Sequence, residues 1–142
     1  MEAAPFQQQP DIRASFRRAG DERDLYRLRM DGSVLRIEAR GHWDLMVAKS
    51  YARDVTRIVT DIKRTRPHLR AIVDRTELPA FDEGVPEILM ATYNSVLREG
   101  DRVAMLVDSS VTKGKIRQVA GREETRSFLS TSAAKTWLLA YG

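Results

Sequence analysis

Three kinds of side chain in this 142-residue sequence have the makings of a nucleophilic site: a base, His42, a carboxylate, Asp74, and a hydroxyl from Ser109 or Ser110. A carboxylate that orients a histidine, which in turn holds a hydroxyl, is the arrangement that activates a serine. Such triads are defined by geometry, and no Gly-x-Ser-x-Gly elbow surrounds either serine. The plainer readings make His42 a hydrogen-bonded loop residue and Trp43 a plug in the core. Val111-Thr112-Lys113-Gly114-Lys115-Ile116 glances at a phosphate-binding loop. It fails because Ser109 stands where the upstream glycine is needed and Ile116 where the hydroxyl is needed. Ser109, Ser110, Thr112 and Lys113 at a helix N-terminus would still suit an anion.

Composition narrows the chemistry. The sequence has no cysteine, which removes disulfides, thiolate metal sites and a cysteine nucleophile. No apolar run is long enough to span a bilayer, and the first residues lack a basic-then-apolar leader. A cytoplasmic protein is therefore expected. The net charge is +4, but basic residues are interleaved with acids, the pattern of a solvated surface more than of a nucleic-acid face. No cofactor and no metal is expected.

The elements that would position these residues read as follows. Residues 1–24 are taken as a flexible N-terminal tail, with Ile12 and Phe16 one helical turn apart. Residues 25–142 are taken as a single α/β domain. Tyr26, Leu28 and Met30 alternate with Arg27 and Arg29, and Leu35, Ile37 and Ala39 alternate with Arg36, Glu38 and Arg40. Period two predicts strands, and Asp31-Gly32-Ser33 between them predicts a hairpin turn. Asp44 is placed to cap a helix whose stripe is Val47, Ala48, Tyr51, Val55, Ile58, Val59 and Ile62. Ala71-Ile72-Val73 is a short unbroken apolar run, as in a strand covered on both faces. A loop over residues 75–84 follows, then a helix over 86–99. A second buried strand, 103–107, leads to a basic helix over 111–120, a short edge strand near 126–129, and a last helix capped from Ser130-Thr131-Ser132. The order is ββαβαβαβα: a mixed, mostly parallel five-stranded sheet with about four helices.

Several of these stretches resemble STAS-like domains, the relatives of bacterial anti-sigma-factor antagonists. They are Gly41-His42-Trp43-Asp44, its spacing to Ala71-Ile72-Val73-Asp74, the run from Gly100 to Val107, and Arg126-Ser127-Phe128-Leu129 with Ala133-Ala134-Lys135-Thr136-Trp137-Leu138. The resemblance implies a small regulatory binding module with no enzymatic activity. It implies a protein partner, of the regulatory-kinase or anti-sigma type, and allows a homodimer. In phospho-regulated members of that family a serine precedes a glycine at the start of the second helix. Asp82-Glu83-Gly84 occupies the matching place, so a carboxylate stands where a phosphoserine would be. Two readings of Glu83 remain: a fixed stand-in for the phosphate, or an anion that suits a helix N-terminus.

Parallel strands put their carboxyl ends on one rim, where open α/β sheets bind ligands. The rim residues proposed for binding are His42, Trp43, Asp74, Thr76, Phe81, Asp82, Glu83, Gly84, Ser109, Ser110 and Lys113. His42 and Phe81 should lie together, and His68 should lie at the opposite end. Leu78-Pro79-Ala80-Phe81 is an apolar run in a loop. It either folds over the core or lines a pocket for a small apolar or anionic ligand. A weak nucleic-acid face on Lys113, Lys115, Arg117 and Arg122 is the third reading.

Overall fold

The structure, a computed structural model, describes residues 12–77, 79–109 and 124–140. Its strands are β1 (Arg13–Phe16), β2 (Tyr26–Asp31), β3 (Val34–Ala39), β4 (His42–Trp43), β5 (Arg70–Asp74), β6 (Ala80–Phe81), β7 (Arg102–Leu106) and β8 (Thr125–Phe128). Its helices are α1 (Leu45–Lys63), α2 (Val85–Val96) and α3 (Thr131–Leu139). The main sheet has six strands in the order β1-β2-β3-β5-β7-β8. The β1/β2 and β2/β3 pairs are antiparallel, and the other three are parallel.

The hairpin forms as the alternation predicts. Asp31 pairs with Val34 across a two-residue turn, in which Gly32 takes a φ of 62°. Period two then sorts the inner strands onto two faces. Ala71 and Val73 of β5, with Val103 and Met105 of β7, join one core, which also takes Val47, Tyr51, Val55, Ile58 and Ile62 of α1. Ile72, Ala104 and Leu106 point the other way, to Ala134 and Leu138 of α3. Burial on both faces is why these strands read as continuous apolar runs.

Helix ends follow their caps. Asp44 Oδ1 accepts from the Val47 amide at 3.0 Å, and Ser130 Oγ from the Ala133 amide at 3.1 Å. At the far end of α1, Lys63 Nζ meets the buried carboxylate of Asp101. The same carboxylate accepts from the amides of Leu69 and Arg98, each at 2.8 Å.

Three expectations need correction. Residues 1–24 are not all tail, because Arg13–Phe16 hydrogen-bond to β2 as the sheet's outer antiparallel strand, with Ala14 opposite Leu28 and Phe16 opposite Tyr26. The sheet therefore has six strands, not five. The stretch over 75–84 is not all loop, because Ala80–Phe81 pair in parallel with His42–Trp43 as a separate two-stranded ribbon. Three helices are described where about four were expected; the basic helix placed at 111–120 lies outside the described residues.

Candidate functional site at the carboxyl rim

Gly41 begins the rim. Its φ is 76°, and a Cβ built there would sit 2.5 Å from Leu25 Cδ2. Only glycine meets both demands without strain. The chain thus turns sharply after β3 and delivers His42 and Trp43 to the ribbon. The Ala80 amide donates to the Gly41 carbonyl at 2.9 Å, and the Asp82 amide to the Trp43 carbonyl at 3.0 Å. His42 lies opposite Ala80, and Trp43 opposite Phe81. His42 and Phe81 therefore share one end of the sheet, as expected. His68 sits just before β5, at the other end, with its ring against Gly100. The N-terminal segment also reaches the rim. Arg18 Nη1 donates to the His42 carbonyl at 3.0 Å, and its Nη2 lies 3.1 Å from Asp44 Oδ2. Arg18 and the Val47 amide both stabilise the Asp44 carboxylate, and its pKa falls below the ordinary value, the Val47 bond contributing most.

Among the described residues the imagined triad does not assemble. The exposed His42 ring pairs through Nε2 with Asp82 Oδ1 at 2.5 Å. Asp74 is committed elsewhere. Its Oδ1 accepts from the Thr76 amide (3.0 Å) and hydroxyl (2.7 Å), and its Oδ2 from Arg36 Nη2 (3.1 Å). Asp74 and Thr76 therefore shape the turn that leaves β5. Glu83 is exposed in the next turn. Gly84 follows at a φ of 90° as the N-cap of α2, with no side chain to cap it. Ser109 is half-buried just beyond β7. Ser110 and Lys113 lie outside the described residues, as do Lys115, Arg117 and Arg122. Among the described residues there is no group of three or more metal-ligating side chains.

Trp43 needs a different role from that of a contact residue. It is only 1% exposed, so it is the floor of the rim and not its face. Its ring packs on Tyr26, Tyr51 and Phe81 at centroid distances of 5.8, 5.0 and 5.6 Å. Its indole N–H donates to the Arg40 carbonyl at 2.9 Å. Phe81, the half-buried end of the apolar run, folds onto this floor.

Residues that the sequence reading passed over complete the rim. Arg75, the first residue after β5, lies with its guanidinium carbon 5.1 Å from the centre of the Phe81 ring. Tyr51 of α1 and Tyr93 of α2 share a hydroxyl–hydroxyl bond of 2.9 Å. Burial pushes both phenols above their ordinary pKa, while the charge of nearby Arg75 opposes the rise. Burial likewise pulls Arg75 below its ordinary value. Leu45 and Met46 open α1 in solvent, 44% and 59% exposed, and Met90 on α2 is 43% exposed. Leu45 Cδ2 lies 3.1 Å from where a Cβ on Gly84 would be, so the starts of α1 and α2 adjoin.

No family model matches the chain, and no curated protein does. Solved structures do. An uncharacterised protein of the DUF3478 family from Shewanella loihica, described as having a SpoIIAA-like fold, superposes with a TM-score of 0.64 at 16% identity, over 84% of this chain and 99% of that one. The anti-sigma factor antagonist SpoIIAA, in its unphosphorylated form, superposes with a TM-score of 0.52 at 15% identity, over 82% of this chain and 99% of that one.

Proposed function

We propose, from a SpoIIAA-like, STAS-type fold whose rim residues His42, Asp82 and Glu83 are exposed, that this chain is a non-enzymatic regulatory module that recognises a protein partner. The contact surface is the rim ribbon with the first turn of α1 and the first two turns of α2. One observation carries the reading. Of five large apolar side chains left in solvent among the described residues, three (Leu45, Met46 and Met90) sit on these two adjoining helices. Exposed apolar side chains gathered beside polar ones are what a docking surface needs. His42, Asp82 and Glu83 supply the polar border. Leu129 and Leu139 accompany α3 on the other face of the sheet.

Glu83 supplies fixed negative charge beside the uncapped start of α2. In this reading the module is held in one recognition state, without a hydroxyl there to be switched by phosphate. A partner of the anti-sigma or regulatory-kinase type fits the fold, since SpoIIAA is an anti-sigma factor antagonist.

The test is site-specific photo-cross-linking in cells, with the reactive group at Met46, at Met90, or at Leu139 as the control. The reading expects one protein trapped from both rim positions and not from Leu139, and lost when His42 and Glu83 are replaced together. Trapping from Leu139 alone would overturn it.

A further inference from the structure

Arg75 is electrostatically unfinished. Its Nε is cut off from solvent and has no hydrogen-bond partner. No carboxylate among the described residues pairs with it: Asp74 serves Arg36 and Thr76, and Asp82 serves His42. A guanidinium stays protonated in a protein, and a buried charge without a counterion is costly. The Phe81 ring covers one face of the guanidinium. That contact leaves the donors free, because they lie in the guanidinium plane and point outward from its edge. The Tyr51–Tyr93 bond, near enough for the Arg75 charge to act on both phenols, uses one phenol proton. The other has no acceptor among the described residues. A positive fork and a spare hydroxyl donor thus stand at one end of the sheet, between α1 and α2, roofed by Phe81.

We propose that Arg75, with the Tyr51–Tyr93 pair, is a binding site for an oxyanion, the carboxylate or phosphate group of a small molecule. The guanidinium edge takes two oxygens side by side, as Arg does with both groups. The spare phenol proton takes a third contact or shares one of the two. Bound charge cancels that of Arg75 and ties the loop after β5 to α1 and α2. The site does not depend on the docking surface proposed above, since Leu45, Met46 and Met90 take no part in it.

The experiment is a titration of the full chain with inorganic phosphate and, separately, acetate, at ionic strength fixed with chloride. It follows the Arg75 Nε–H resonance by NMR and the midpoint of thermal unfolding. The site predicts a saturable downfield shift of that resonance and a rise in the midpoint with one or both anions. Response to phosphate alone assigns a phosphate ligand, and response to acetate alone a carboxylate; either supports the site. Arg75→Lys keeps the charge without the fork and should weaken binding at least tenfold, and Tyr93→Phe should weaken it several-fold with the fold intact. An unmoved Nε–H resonance with both anions would overturn the proposal. So would an equal rise in midpoint for wild type and Arg75→Lys, because phosphate stabilises many proteins without a site.

Discussion

Trp43→Ala tests whether the rim stands on the floor described. The side chain is 1% exposed and touches three aromatic rings. Truncating a buried Trp costs about 3–5 kcal/mol in lost transfer energy and cavity. The indole bond to the Arg40 carbonyl also goes; losing a neutral hydrogen bond adds about 1 kcal/mol. The sum, about 4–6 kcal/mol, is comparable with the whole stability of many domains, about 5–15 kcal/mol. Trp43→Ala should therefore be barely folded, and Trp43→Phe, which keeps a ring, should lose about 1–3 kcal/mol. Urea unfolding followed by far-UV circular dichroism measures both. In a Trp137→Phe background, the remaining indole should emit as a buried group. A cost for Trp43→Ala below about 1 kcal/mol would refute the packing argument, since surface substitutions fall in that range.

Two further outcomes follow from buried polar groups. Burial raises the folded-state pKa of Tyr26, Tyr51 and Tyr93 above the ordinary 10.0. A raised folded pKa means that the unfolded chain loses these protons first, so their stabilising effect is complete below pH 10 and is lost as pH climbs past it. Ultraviolet titration should show these three phenols ionising together with a cooperative unfolding step above pH 10, and independent ionisation before unfolding would contradict it. Asp101→Ala should cost about 3–5 kcal/mol, the range for breaking a buried pair. It strands Lys63 and the Leu69 and Arg98 amides, and a fall in the urea midpoint with an unchanged slope reports it.

The legible parts of this chain were those set by local period. Ala71-Ile72-Val73 is apolar on consecutive residues because the sheet is covered on both sides, and the α1 stripe recurs because one face is buried. β1 was hidden because Arg-Ala-Ser-Phe is only four residues long, and its strand state comes from pairing with β2. β6 is two residues, fixed by the β4 backbone opposite, and no periodicity spans so little. At the rim, sequence placed His42, Phe81 and Asp82 together, because chain order puts them all at strand ends. It could not tell that Asp74 would turn to Thr76 and Arg36, since a carboxylate carries no sign of its partner. Arg75 was missed for the same reason, although an arginine directly after a buried strand was a usable signal. Leu45 and Met46 precede the α1 stripe, and nothing local marks an apolar residue as exposed.

Amide hydrogen exchange with and without the purified form of the cross-linked partner decides whether this rim is the recognition surface. Exchange should slow over residues 42–48 and 80–90, with the β1 edge at Arg13–Phe16 and helix α3 unchanged. Protection confined to Arg13–Phe16 or to α3, with the rim exchanging as in the free chain, would contradict it.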